Sequence, residues 1–218
     1  MPRTITVKGI GRVSAKPDTI VISMTLAVQR VEYEDAMNES AKLLKSLRSA
    51  IEPLGFSQED MKTTSLNVDT CYENEKDRSG NYKRKFTGYK CVHGLKLEFD
   101  LDTARMAKVL SAIAHCDADP EFNVQFTVND KDGICADLLK SASENALKKA
   151  QILCESSGVA LGSLISIDYN WGEINLFSPT RFEMEDRCMM VAPNAAEIDV
   201  EPEDIDLSDT VAFVWEIK

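Results

Sequence analysis

Residues 19–55 read TIVISMTLAVQRVEYEDAMNESAKLLKSLRSAIEPLG, and the change of period inside this stretch decides the fold class. Ile20, Ile22, Met24, Leu26 and Val28 alternate against Thr19, Ser23 and Thr25, the pattern of a half-buried strand. Met37, Leu44, Leu47, Ile51 and Leu54 then recur at helical spacing, with Ala36, Leu43 and Ala50 beside them and Ser40, Lys42, Lys45 and Arg48 on the other face. Pro53 and Gly55 end that helix.

The same rhythm extends both ways. Upstream, Ile5, Val7, Gly9, Gly11 and Val13 share one strand face, and Lys16-Pro17-Asp18 predicts a turn and a hairpin into the next strand. Downstream, Leu66, Val68, Thr70 and Tyr72 alternate, and Tyr89, Cys91, His93, Leu95, Leu97 and Phe99 line a return strand, giving a long protruding hairpin over 61–99. Its connector, Glu73 to Lys85, is polar and charged and reads as a mobile loop.

Asp102 or Thr103 can cap a helix carrying Met106, Val109, Leu110 and Ile113, which ends near Pro120. Phe122, Val124, Phe126 and Val128 form the next strand. Asp130 or Asp132 caps the longest helix, whose stripe of Leu139, Ala142, Ala146, Ala150 and Leu153 lets it approach a sheet closely; Gly158 closes it. Ile165, Ile167, Tyr169 and Trp171 form a strand, 172–209 is irregular with a short strand at Cys188–Val191, and Val211, Phe213, Trp215 and Ile217 close the chain. Hairpins outnumber parallel crossovers, so the expectation is an α+β fold: a mainly antiparallel sheet with helices packed on one face, in a single domain over 1–218.

Composition narrows the function. The 218 residues are 44% hydrophobic and 28% charged, enough for a substantial core. No apolar run approaches the ~20 residues that span a bilayer. The start enters alternating β pattern directly, with no signal-peptide pattern, so the expected location is cytoplasmic. The net charge of −11 opposes nucleic-acid binding and acidic membranes. The six cysteines, at 71, 91, 116, 135, 154 and 188, form no CxxC pair and read as reduced structural thiols.

The search for chemistry returns little. Cys91 and His93 share a strand face and would carry any nucleophilic catalysis, but same-strand neighbours sit too far apart for a direct hydrogen bond. His115-Cys116-Asp117 falls at a helix end, without the second ligand cluster a zinc site needs. Val7-Lys8-Gly9-Ile10-Gly11 lies inside a strand and marks close backbone packing, not a dinucleotide loop. The acidic stretch 197–209 lacks EF-hand spacing and reads as a solvated connection, and Lys83-Arg84-Lys85 reads as a solvated loop tip. No catalytic residue, cofactor or metal site is expected.

Together these motifs resemble the SIMPL-domain family: Val7-x-Gly9-x-Gly11, Pro17-Asp18, Leu54-Gly55, Thr64-x-Leu66-x-Val68 with Tyr72, Gly88-Tyr89, the alanine stripe with Lys149, then Gly158-Val159-x-Leu161-Gly162. The chain departs from the family where Glu201-Pro202-Glu203-Asp204 stands in place of a Pro-Gly turn. The family includes periplasmic immunogenic and oxidative-stress defence proteins and has no agreed catalytic residues. The resemblance implies an α+β fold, self-association, and loose links to stress response or, in animal members, signalling kinases. The leading expectation is therefore a non-enzymatic homo-oligomeric assembly or interaction protein. The alternative is a small-molecule or peptide-binding protein using Tyr169, Trp171, Phe177 and Phe182 as a cleft, and the third is an enzyme using Cys91 and His93.

Overall fold

A computed structural model describes residues 3–76, 82–170, 172, 174–182 and 200–218. The elements are β1 Thr4–Ala15, β2 Thr19–Arg30, α1 Tyr33–Ile51, β3 Met61–Lys76, β4 Tyr82–Asp100, α2 Thr103–Ala114, β5 Glu121–Thr127, α3 Lys131–Ser156, β6 Leu161–Asp168 and β7 Ile205–Ile217, with a 3-10 turn at Glu52–Leu54. The fold is α+β, with two antiparallel sheets. Trp171, the strand expected at Cys188–Val191, the connector tip at 77–81 and the acidic residues Glu197 and Asp199 lie outside the described residues.

Backbone contacts divide the chain into two compact units: 1–18 with 127–179 and 202–218, and 19–126 with 180–201. The first holds the sheet β1-β7-β6 and α3, the second the sheet β3-β4-β2-β5 with α1 and α2. The second unit runs β-α-β-β-α-β with its first strand inside the sheet, the ferredoxin-like arrangement.

The hairpin expected at Lys16-Pro17-Asp18 does not form. β1 pairs with β7, from Thr4↔Glu216 to Ala15↔Ile205, while β2 pairs with β4. The turn is committed elsewhere: the Asp18 N–H donates to the Thr127 carbonyl at 3.0 Å, and its carboxylate accepts from the Asn129 N–H at 2.8 Å. Residues 205–209 of the expected acidic connection are strand instead, with Ile205 and Leu207 buried and Asp206 exposed between them. The expected loop at 73–85 is also largely strand. Glu73 faces Lys85 and Glu75 faces Lys83 across the ladder, so opposite charges pair where apolar alternation stops.

In the first unit α3 lies on β1 and β7. Its buried stripe is Leu138, Ala142, Ala146, Ala150 and Cys154, one residue off the expected Leu139 and Leu153 at the two ends, because the contact line follows steps of four. Gly9 and Gly11 are where the helix meets the strand. A Cβ on Gly9 would overlap the Ala142 carbonyl, and one on Gly11 the Leu138 carbonyl. Asp130 caps the helix through the Gly133 N–H at 2.8 Å, and Gly158, at φ +70, follows its end.

In the second unit Ile20, Ile22, Met24 and Leu26 of β2 and Leu95 and Leu97 of β4 meet Leu47 and Ile51 of α1 and Met106, Val109 and Ile113 of α2. Burying each such side chain contributes about 1.5–3 kcal/mol relative to leaving it in water. Asp102 caps α2 through the Arg105 N–H at 2.9 Å. Ser40, assigned by residue type to the polar face of α1, is only 2% exposed, and its hydroxyl has no hydrogen-bond partner among the described residues.

Candidate interaction surface

The second unit carries a row of aromatic rings that its core does not absorb. Tyr33, the first residue of α1, meets Tyr89 of β4 with centroids 5.7 Å apart; Tyr89 meets Phe86 at 5.3 Å, and Phe86 meets Tyr72 of β3 at 5.7 Å, all edge to face. The Arg84 guanidinium stacks over Tyr72 at 4.4 Å. The strand register builds the row, since Tyr72 sits opposite Phe86. Just before that pair the ladder shifts register between Cys71 and Tyr72, where Gly88 stands opposite Cys71. Gly88 adopts φ +131, and a Cβ there would strike the Arg30 backbone, so a residue without a side chain is required at this bend.

Three of these rings stay in water, and Tyr89 between them is half-buried. Tyr33 is 49% exposed, Tyr72 47% and Phe86 42%, with Leu66 and Tyr82 exposed on the same two elements. β3 is the outer strand of its sheet, and sixteen residues at about 3.4 Å each give it an edge of about 50 Å. A long outer strand with apolar side chains is a template for pairing with another chain. Farther out, Lys85 and Glu75 form an ion pair at 3.2 Å and Lys76 lies over the Tyr82 ring at 5.2 Å.

The first unit treats its two edges differently. On β1 the outward backbone groups are taken up by α3: Asn145 accepts from the Ile10 N–H at 3.0 Å, Ser141 from the Arg12 N–H at 3.1 Å, and the Lys149 ammonium donates to the Lys8 carbonyl at 3.1 Å. Three helix residues at spacing four thus block that edge. β6, the opposite edge, exposes Leu164, Ile165 and Ile167.

His93 is buried, and its Nε2 lies 3.0 Å from the Thr63 hydroxyl. Burial, and then the nearby Arg48 guanidinium, lower its pKa below the ordinary 6.5. Cys91 is fully buried on the same strand. His115 ends α2 with its Nδ1 2.7 Å from the Ser111 carbonyl, and the Cys116 thiol donates to the Ile113 carbonyl. The described cysteines, 71, 91, 116, 135 and 154, are free. Of the expected aromatic cleft, Tyr169 packs on the first unit's core and donates to the Asp209 carboxylate at 2.8 Å, a bond that raises its pKa. Phe177 bridges to Thr127 in that unit, while Phe182 bridges to Val124 in the other. No group of three or more His, Cys, Asp or Glu that could hold a metal occurs among the described residues, and no described helix is long and apolar enough to cross a membrane.

Sequence reasoning found the hairpin but not the aromatic row, because the row depends on which residues of β3 and β4 stand opposite one another. The nearest available signal was the pair of aromatics, Tyr72 and Phe86, flanking the charged stretch on either side.

Comparison with known proteins places these features in context. The family described as "SIMPL: Protein of unknown function (DUF541)" matches residues 5–215. The "26 kDa periplasmic immunogenic protein" of Brucella melitensis is 22% identical over 166 residues, 76% of this chain and 66% of that protein. The protein of the same name from Brucella abortus matches to the same extent. The match therefore spans just under two thirds of these relatives' length.

Proposed function

The chain belongs to the SIMPL family, and from that premise we propose that it is a non-enzymatic assembly module, associating with further copies of itself through the β3–β4 hairpin. The observation that carries this reading is the exposed aromatic row from Tyr33 to Tyr72. Aromatic residues and arginine are the types enriched at protein interfaces, and the row combines four rings with Arg84. The outer strand β3 adds backbone groups able to continue the sheet into a neighbour. On the distal ladder β3 carries Glu73 and Glu75 and β4 carries Lys83 and Lys85, so an antiparallel copy can meet the acidic strand with its basic one.

Light scattering over a range of micromolar concentrations tests the proposal. Mass that rises above the 24.2 kDa of one chain supports it, and a mass fixed at one chain across the range contradicts it.

A link to stress response belongs to the same proposal and rests on the family alone; sensitivity of a deletion strain to peroxide tests it. As to compartment, the relatives' name favours the periplasm over the cytoplasm, and fractionation of the source cells separates the two. The non-enzymatic reading predicts that Cys91→Ala and His93→Ala leave any measured activity unchanged.

A further inference from the structure

Helix α1 carries a half-buried guanidinium that has no counter-ion among the described residues. Arg48 donates one long hydrogen bond, from Nη2 to the Met61 carbonyl at 3.4 Å. Among the described residues its buried Nε has no partner and no carboxylate lies within ion-pair distance. A guanidinium offers five N–H donors, so most of this fork is uncommitted. Removing a cation from water without pairing it is costly, which makes such a group a ready partner for an anion.

Arg48 also lines a groove of about 280 Å³ with Leu44, Lys45, Ser49, Glu52 and Gln58. Lys45 is exposed one turn before Arg48, and Ser49 and Gln58 bring hydrogen-bonding groups to the same space. Leu44 supplies an apolar wall. Lys45, Arg48 and Glu52 together leave one net positive charge, which suits a singly charged anion better than a doubly charged one.

We propose that this groove binds a small carboxylate with an apolar body, its two oxygens on the terminal nitrogens of Arg48, its charge shared with Lys45 and its body against Leu44. A planar carboxylate matches the guanidinium fork through two parallel N–H···O bonds. The site is separate from the aromatic row and stands whether or not the chain assembles through its hairpin.

His93 supplies the readout, because the Arg48 charge helps to hold its pKa down. An anion that neutralises Arg48 lifts that repulsion and moves the His93 titration to higher pH. The experiment is a titration of the intact chain with butyrate and benzoate, against chloride at equal ionic strength, following the His93 ring and the Arg48 side chain by NMR. The expected result is a saturable change at millimolar carboxylate, a higher His93 pKa at saturation, weakening of several-fold in Lys45→Ala, and loss in Arg48→Gln. Lys45 is exposed, so its variant keeps the test valid if Arg48→Gln fails to fold. A change no larger than that given by chloride, or one unaltered in Lys45→Ala, overturns the proposal. A parallel arm with inorganic phosphate separates the sources: binding of phosphate as tight as benzoate overturns the carboxylate assignment.

Discussion

Gly9 of β1 and Ala146 of α3 stand so close that a Cβ built on the glycine would lie 2.7 Å from the alanine Cβ, and the Ala142 carbonyl lies nearer still. The first unit's helix therefore rests on the strand backbone itself, through a stripe in which glycine faces alanine. Gly9→Ala must push helix and strand apart or distort the sheet. Overpacking of this kind costs about 1–3 kcal/mol, and a backbone atom as the obstacle puts Gly9→Ala in the upper half of that range. Urea denaturation checks it; an unchanged midpoint contradicts the packing described.

Asn145→Ala tests the blocked edge of β1. The side chain accepts from the Ile10 N–H. Its removal is expected to cost roughly 1 kcal/mol and to speed hydrogen exchange at Ile10 selectively. Exchange at Ile10 that matches the wild type contradicts the role assigned to the helix.

His93 gives a pH dependence whose sign follows from its environment. Its pKa is lowered in the folded chain by burial and by Arg48, with Thr63 the only hydrogen-bond partner described. As pH falls through the ordinary histidine range, the unfolded chain takes up a proton that the folded chain still refuses. The stability associated with neutral His93 is thus present above pH 6.5 and is lost as pH falls from there toward the folded value. His93→Gln is expected to flatten that part of the stability curve. A His93 ring titrating at or above its ordinary value by NMR contradicts this prediction.

Glu75→Lys tests the charged ladder beyond Tyr72. The substitution sets a cation against Lys83 and removes the ion pair with Lys85. The expected loss is about 0.2–1 kcal/mol, confined to the distal hairpin and visible as faster hydrogen exchange at residues 73–76 and 82–85. Unchanged exchange there indicates that the charges do not hold the strands in register.

Much of this architecture is legible in the sequence, and the parts that are not share a cause. The period of 20–28 and the spacing of 36–54 announce a strand and a helix, since burial of one face imposes those repeats. Gly9 and Gly11 with Ala142 and Ala146 announce close packing, because only small residues permit it. What periodicity does not carry is partnership. Nothing in Lys16-Pro17-Asp18 reveals that β1 pairs with β7, almost two hundred residues away, and nothing in the polar run 73–85 reveals that its charges stand opposite one another. The aromatic row is hidden for the same reason: Tyr72 and Phe86 become neighbours only once register is set. Cys91 and His93, by contrast, share one strand face as their spacing indicates, and both are buried.

Sedimentation of the wild type beside a Tyr72→Ser/Phe86→Ser double variant tests assembly through the hairpin most directly. Both side chains are exposed, so the variant is expected to fold with little loss of stability. The account predicts that the wild type sediments as an assembly and that the variant dissociates toward single chains at the same concentration. A wild type that stays a single chain when concentrated, or a variant that assembles as well as the wild type, contradicts it.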